Sequence, residues 1–170
     1  MAAPDADATL HGMDAPYRHI ACCVDRSGAA LDVLRVGRKL RELGPGRLTL
    51  LHVTPWGLMF GGYPGVEPED PEALASDAKL WLDEMVTAHP GSEGVLLNGY
   101  PPAVTCEWAH GADVDLLVAA SSRGVVDRVL LGSFAGYLVR HSPCGIILTR
   151  PPHPHADAGG THATTEAGGG

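Results

Sequence analysis

The sequence predicts an α/β fold, a doubly wound sheet of five parallel strands with helices on both faces. Three observations carry this. Short, nearly unbroken apolar runs alternate with longer segments whose apolar residues recur every three to four positions. The runs are too short and too apolar for solvent-facing helices, which suits strands covered on both sides. At 170 residues the chain supports one ordinary domain with tails, large enough to bury a core without staples.

Residues 1–16 are rich in Ala, Asp and Pro and lack periodicity, so a loose leader is expected. The apolar stretch His19–Asp25 reads as the first strand. Ser27 is the expected N-cap of a helix whose buried stripe is Ala30, Val33, Leu34, Gly37 and Leu40, stopped by Gly44-Pro45-Gly46. Arg47–Val53 is the second strand. Residues 54–69 hold prolines, glycines, Trp56, Phe60 and Tyr63 and read as a long loop. Asp70-Pro71 pairs a cap with a proline at the first helical position. The helix it opens carries Leu74, Ala78, Trp81, Leu82 and Met85 on one face and ends at Pro90-Gly91. Gly94–Leu97 is a short third strand, and Pro101-Pro102 starts a helix through Trp108, with Gly111 near its end.

The stretch Leu116–Thr149 is the most informative. It reads as a buried strand (Leu116–Ala120), a polar loop, a helix from Ser133 to His141, and a last strand, Cys144–Thr149, entered after Pro143. A loop that ends at a helix N-terminus presents unpaired backbone N–H groups and the positive end of the dipole, which suits an anion such as phosphate. In doubly wound sheets the ligand crevice lies at the carboxyl ends of the strands, where strand order reverses. If strands one and four are neighbours there, Asp25 and the loop after Ala120 converge on one cleft. From Arg150 onward the Pro-, Gly-, Ala- and Thr-rich residues 151–170 are expected to be disordered, and His153 and His155 have no scaffold to make them metal ligands.

Composition excludes several functions. A net charge of −8 argues against a nucleic-acid partner and against docking on anionic lipid. No apolar run approaches a membrane span, and the acidic N-terminus is not a secretory signal, so a cytoplasmic location is expected. The four cysteines form no metal or redox pattern. Cys22 and Cys23, adjacent on a strand, should point to opposite faces, and buried reduced thiols are expected.

Three groups of residues resemble the universal stress protein family: Val24-Asp25-x-Ser27, Arg128-x-Leu130-Leu131-Gly132-Ser133, and Arg140-His141-x-Pro143-Cys144 leading into a terminal strand. The likeness covers roughly Tyr17 to Arg150. It implies the adenine nucleotide alpha hydrolase-like sheet order 3-2-1-4-5 and a homodimer joined through the last strand (144–149). It also implies an adenine nucleotide, ATP or AMP with or without magnesium, bound at Asp25, Val53, Ala119, Ser121, Ser122, Arg123, Gly132, Ser133 and Phe134. In that reading Asp25 meets the ribose hydroxyls, the Val53 backbone meets the adenine edge, and Gly132-Ser133 holds phosphate.

The family's phosphate loop places glycines where this chain has Ala119 and Ser122, and only Gly132-Ser133 matches. Gly124 and the serine hydroxyl offer compensation, and Arg123 and Arg128 are candidate phosphate partners. Asp25 has a second reading as the carboxylate that caps the turn into the first helix. Functionally, a nucleotide-binding stress-response regulator competes with a nucleotide-free dimeric scaffold. A slow ATPase is the third possibility, disfavoured because no Walker loop or evident water-activating base is present.

Overall fold

The computed structural model describes residues 16–55, 70–121 and 132–150. The expectations for the leader up to residue 15, for the loop 56–69, for Ser122, Arg123, Gly124 and Arg128, and for the tail from 151 lie outside the described residues.

Strands and helices alternate: β1 His19–Cys23, α1 Ala29–Arg41, β2 Arg47–Pro55, α2 Pro71–Ala88, β3 Ser92–Gly99, α3 Pro101–Gly111, β4 Leu116–Ala120, α4 Ser133–His141 and β5 Gly145–Thr149. All pairings are parallel, in the order β3-β2-β1-β4-β5. Both the class and the order match expectation.

Local chemistry explains most boundaries. The Asp70 carboxylate accepts the Glu72 N–H at 3.0 Å, with Pro71 at the start of α2. At α1 the expected cap is displaced by one residue. Gly28 is the N-cap, because both the N–H and the hydroxyl of Ser27 are drawn back to the Asp25 carboxylate. β3 is twice its expected length. It pairs with β2 from Ser92 to Gly99, while exposed Glu93 and Asn98 on this edge strand obscure the apolar pattern that sequence reading relies on.

Two apolar layers sandwich the sheet. Ile20, Cys22, Leu48, Leu50, Leu116 and Val118 pack under α1 and α2 with Val33, Leu34 and Leu82; Trp81 and Met85 flank this layer. Ala21, Leu117 and Ala119 pack under α3 and α4 with Ala109 and Leu138. Cys22 belongs to the first layer and Cys23 to the second, so they do face opposite ways. All four cysteines are free thiols, and burial pushes each of them up, Cys22 to about 12. Among the described residues no helix is long and apolar enough to cross a membrane.

The lower rim of the sheet is tied by Asp115. Its carboxylate accepts the N–H groups of Arg18 at 2.7 Å and His19 at 2.8 Å. Its own N–H reaches the His19 carbonyl and its carbonyl accepts from Gly145, so one residue joins β1, β4 and β5. Buried beside it, the His19 ring lies 2.8 Å from the Thr49 hydroxyl and 2.8 Å from Arg47 Nη2. Burial depresses the pKa of His19 and Arg47 adds to the effect, outweighing the Ala112 carbonyl that favours the proton. The unfolded chain therefore binds this proton more readily. The stability it contributes is complete above the ordinary value of 6.5 and is lost as pH falls through the lower folded value. The urea midpoint should fall on acidification from pH 7 to 5, and His19→Asn should flatten that fall; an unchanged slope refutes the assignment.

Gly37 sets how closely α1 lies on β1. A Cβ there would collide with the Cys22 sulfur and touch Leu48 at 3.4 Å. Gly37→Ala should cost about 1–3 kcal/mol by overpacking. Combined with Cys22→Ala, the two changes should be non-additive by at least about 0.5 kcal/mol in urea denaturation; strict additivity would mean the helix does not rest on that sulfur.

Candidate functional site

The site follows from where the strands stop. β1 is central, and its last paired residue, Cys23, stands opposite Leu51, whereas β2 runs on to Pro55 against Gly99. Val24 donates to the Leu51 carbonyl at 2.9 Å, and the chain then turns into α1. Among the described residues, β2 from Val53 onward has a neighbouring strand only on its β3 side. The backbone edge on the other side borders a notch, and β4 ends across it at Ala120. The notch is a cleft of about 1010 Å³ between the start of α2 on one wall and the starts of α3 and α4 on the other. This is the topological switch point, with α1 and α2 on one face and α3 and α4 on the other.

Asp25, Val53, Ser121, Gly132, Ser133 and Phe134 all line this cleft. Ala119 does not. It is fully buried in the layer under α3 and α4, and its neighbour Ala120 faces the cleft instead. The methyl that stands where the family pattern has glycine is thus taken up by the core and does not obstruct the cleft. Ser122 and Arg123 lie outside the described residues.

The start of α4 is braced against the sheet. Ser121 donates to Thr149 at 2.9 Å, and its carbonyl accepts the Gly132 N–H at 2.9 Å. The N–H of Gly132, expected to be available to an anion, is therefore already committed. The N–H groups of Ser133, Phe134 and Ala135 at the first turn have no acceptor among the described residues, and all three residues line the cleft. With the dipole behind them they form an anion-binding position. Across the cleft, the Asp25 carboxylate accepts the Ser27 N–H at 3.0 Å and also its hydroxyl. The turn-capping role of Asp25 is therefore real, and it fixes the carboxylate at the cleft rim.

Sequence reading missed several lining residues: Arg26, His52, Thr54, Asp77, Tyr100 and Thr105. Arg26 was legible as the residue beside Asp25 at a strand's carboxyl end. Thr54 lies one residue beyond the expected end of β2. Asp77 and Thr105 carry no local signal, because only the packing of α2 and α3 brings them to the notch. Thr54 and Thr105 share a further property: their hydroxyl oxygens are buried without a hydrogen-bond partner among the described residues. Such orphans are costly and are uncommon outside functional sites. No group of three or more His, Cys, Asp or Glu side chains among the described residues is arranged to hold a metal ion.

The sequence profile of the universal stress protein family matches residues 16–150, well over half of the chain. The chain belongs to the universal stress protein family. Solved structures of the same fold include universal stress protein UspA from Lactobacillus plantarum, 23% identical, covering 81% of this chain and 100% of that one, with a TM-score of 0.60. A universal stress protein from Archaeoglobus fulgidus is 22% identical, with coverages of 78% and 98% and a TM-score of 0.58. A universal stress protein solved in complex with cAMP is 19% identical, with coverages of 78% and 96% and a TM-score of 0.53. No curated protein matches the sequence.

The orphan hydroxyl of Thr105 can be tested directly. Thr105→Val keeps the shape and removes the unsatisfied oxygen, so the ligand-free protein should gain about 1 kcal/mol in urea denaturation. A loss of stability would show that the hydroxyl has a partner.

Proposed function

We propose that this universal stress protein is a stress-response regulator that binds an adenine nucleotide, ATP or AMP, in the cleft at the carboxyl ends of β1, β2 and β4. One observation carries the reading. Three N–H groups at the start of α4 with no acceptor among the described residues open onto the same cleft as the Asp25 carboxylate and the backbone edge at Val53, which has no strand beside it among those residues on the β1 side. These are an anion position, an acceptor for ribose hydroxyls and an amide edge for a base, all lining one cleft. Burial of Ala119 supports the reading, since the departure from glycine there leaves the cleft clear. So does the likeness to a universal stress protein that was solved with cAMP.

The roles of Asp25, Val53 and the Gly132-Ser133 pair are those the resemblance implies. Ser133, with the N–H groups of Ser133, Phe134 and Ala135, holds phosphate, and Gly132 keeps side-chain bulk away from it. Ser121 anchors the turn. The resemblance also gives Ser122 and Arg123 to the phosphate. Magnesium, where present, is carried by the phosphates rather than by a protein cage. The cleft binds rather than turns over: its described carboxylates are Asp25, engaged by Ser27, and Asp77, engaged by Arg26. Nucleotide occupancy then changes affinity for a protein partner, and the protein acts as a homodimer through the outer edge of β5.

Small molecules released by denaturing freshly purified protein should include adenine nucleotide by mass spectrometry. Gly132→Glu, which sets a carboxylate against the phosphates, should abolish ATP binding in calorimetry. Asp25→Ala should weaken it roughly tenfold, the scale of a charged hydrogen bond. No released nucleotide and no binding at millimolar ATP would instead mean a nucleotide-free scaffold.

A further inference from the structure

The α2 wall of the cleft contains a cation held in an unusual way. Arg26 Nη2 donates to the main-chain carbonyl of Asp77 at 3.1 Å and to the Asp77 carboxylate. Its guanidinium carbon stands over the Trp81 ring, 5.6 Å from the centroid. Trp81 is itself fixed. His52 meets it edge-on, with centroids 4.8 Å apart, and His52 Nδ1 donates to the Val24 carbonyl at 2.9 Å. The guanidinium is thus held on Asp77 through Nη2 and lies over the Trp81 ring. The side chain is still 48% exposed, and it lines the cleft.

We infer that Arg26 is the stacking platform for the base, with the planar base lying on the open face of the guanidinium to complete a Trp81–Arg26–base stack. The inference rests on the nucleotide reading above and deepens it by naming the residue that favours a nucleobase over a bare phosphate chain. Phosphate is the obvious alternative partner for an arginine, and three observations weigh against it here. Asp77 already occupies donors on the guanidinium and neutralises its charge. Arg26 is bonded to α2, which packs on β2 and β3, whereas the anion position begins α4 beyond β4. β2 and β4 flank β1, so they lie about 10 Å apart at ordinary strand spacing, which separates the two ends of one nucleotide. Finally, the backbone edge at Val53, without a strand on its β1 side among the described residues, belongs to the same β2 end as His52, which places a base-reading edge beside this platform. Arginine planes stack on bases by the same combination of dispersion and cation–π attraction that holds Arg26 on Trp81.

The test is calorimetry on the full chain with ATP, AMP and inorganic tripolyphosphate, comparing wild type with Arg26→Ala and Arg26→Lys. Lysine keeps the charge and loses the plane. Both variants should bind ATP and AMP roughly tenfold more weakly, the scale of one base stack, and should hold tripolyphosphate as the wild type does. Arg26→Lys binding ATP as tightly as wild type overturns the platform, as does an equal loss for tripolyphosphate, which would make Arg26 a phosphate partner. A wild-type protein that binds neither ATP nor AMP overturns the nucleotide reading itself and this inference with it, whatever the variants do.

Discussion

The constraint on which the rest depends is that the central strand is the first to stop. β1 is paired on both sides, yet it ends at Cys23 while β2 continues to Pro55. A parallel sheet cannot close that gap with another strand, because each chain segment must leave its carboxyl end for a crossover helix. The result is a notch with an amide edge on one side and a helix N-terminus on the other. Asp25, Val53, Ser121, Gly132, Ser133 and Phe134 reach the notch through this difference in strand length. The close seat of α1 on β1 through Gly37 and Cys22 is part of the same arrangement.

The notch also reconciles two features that look contradictory in the sequence. The chain carries a net charge of −8, yet the proposed ligand is an anion. Attraction need not come from side chains when backbone N–H groups at a helix start are aimed at one point, since the dipole acts over the first turn and not over the whole surface. Likewise the loss of glycine at Ala119 appears in the sequence as damage to a phosphate loop. In the fold that position faces the layer under α3 and α4, where a methyl is an ordinary packing group.

Most of the fold was legible because its signals are local. The Asp70-Pro71 start, the apolar run Leu116–Ala120 and the helix Ser133–His141 are set by caps, proline and periodicity within a few residues, and the structure keeps all three. The reading failed where a boundary depends on a partner far along the chain. β3 extends to Gly99 only because β2 lies beside it, and Ser27 gave up the cap of α1 to a carboxylate two residues upstream. The site divides the same way. Asp25, Gly132 and Ser133 sit at strand and helix ends that periodicity reveals. Asp77 and Thr105 meet the cleft only through how α2 and α3 pack, which no spacing in the sequence encodes.

The two rims of the sheet are built differently. At the lower rim Asp115 binds three strands through main-chain and carboxylate hydrogen bonds, with His19, Thr49 and Arg47 packed around it. At the upper rim the strands end raggedly, and two hydroxyls have no partner among the described residues. The molecule is bound along one edge like a book and notched at the other. Anything that settles among the open pages lies at the edge opposite the binding.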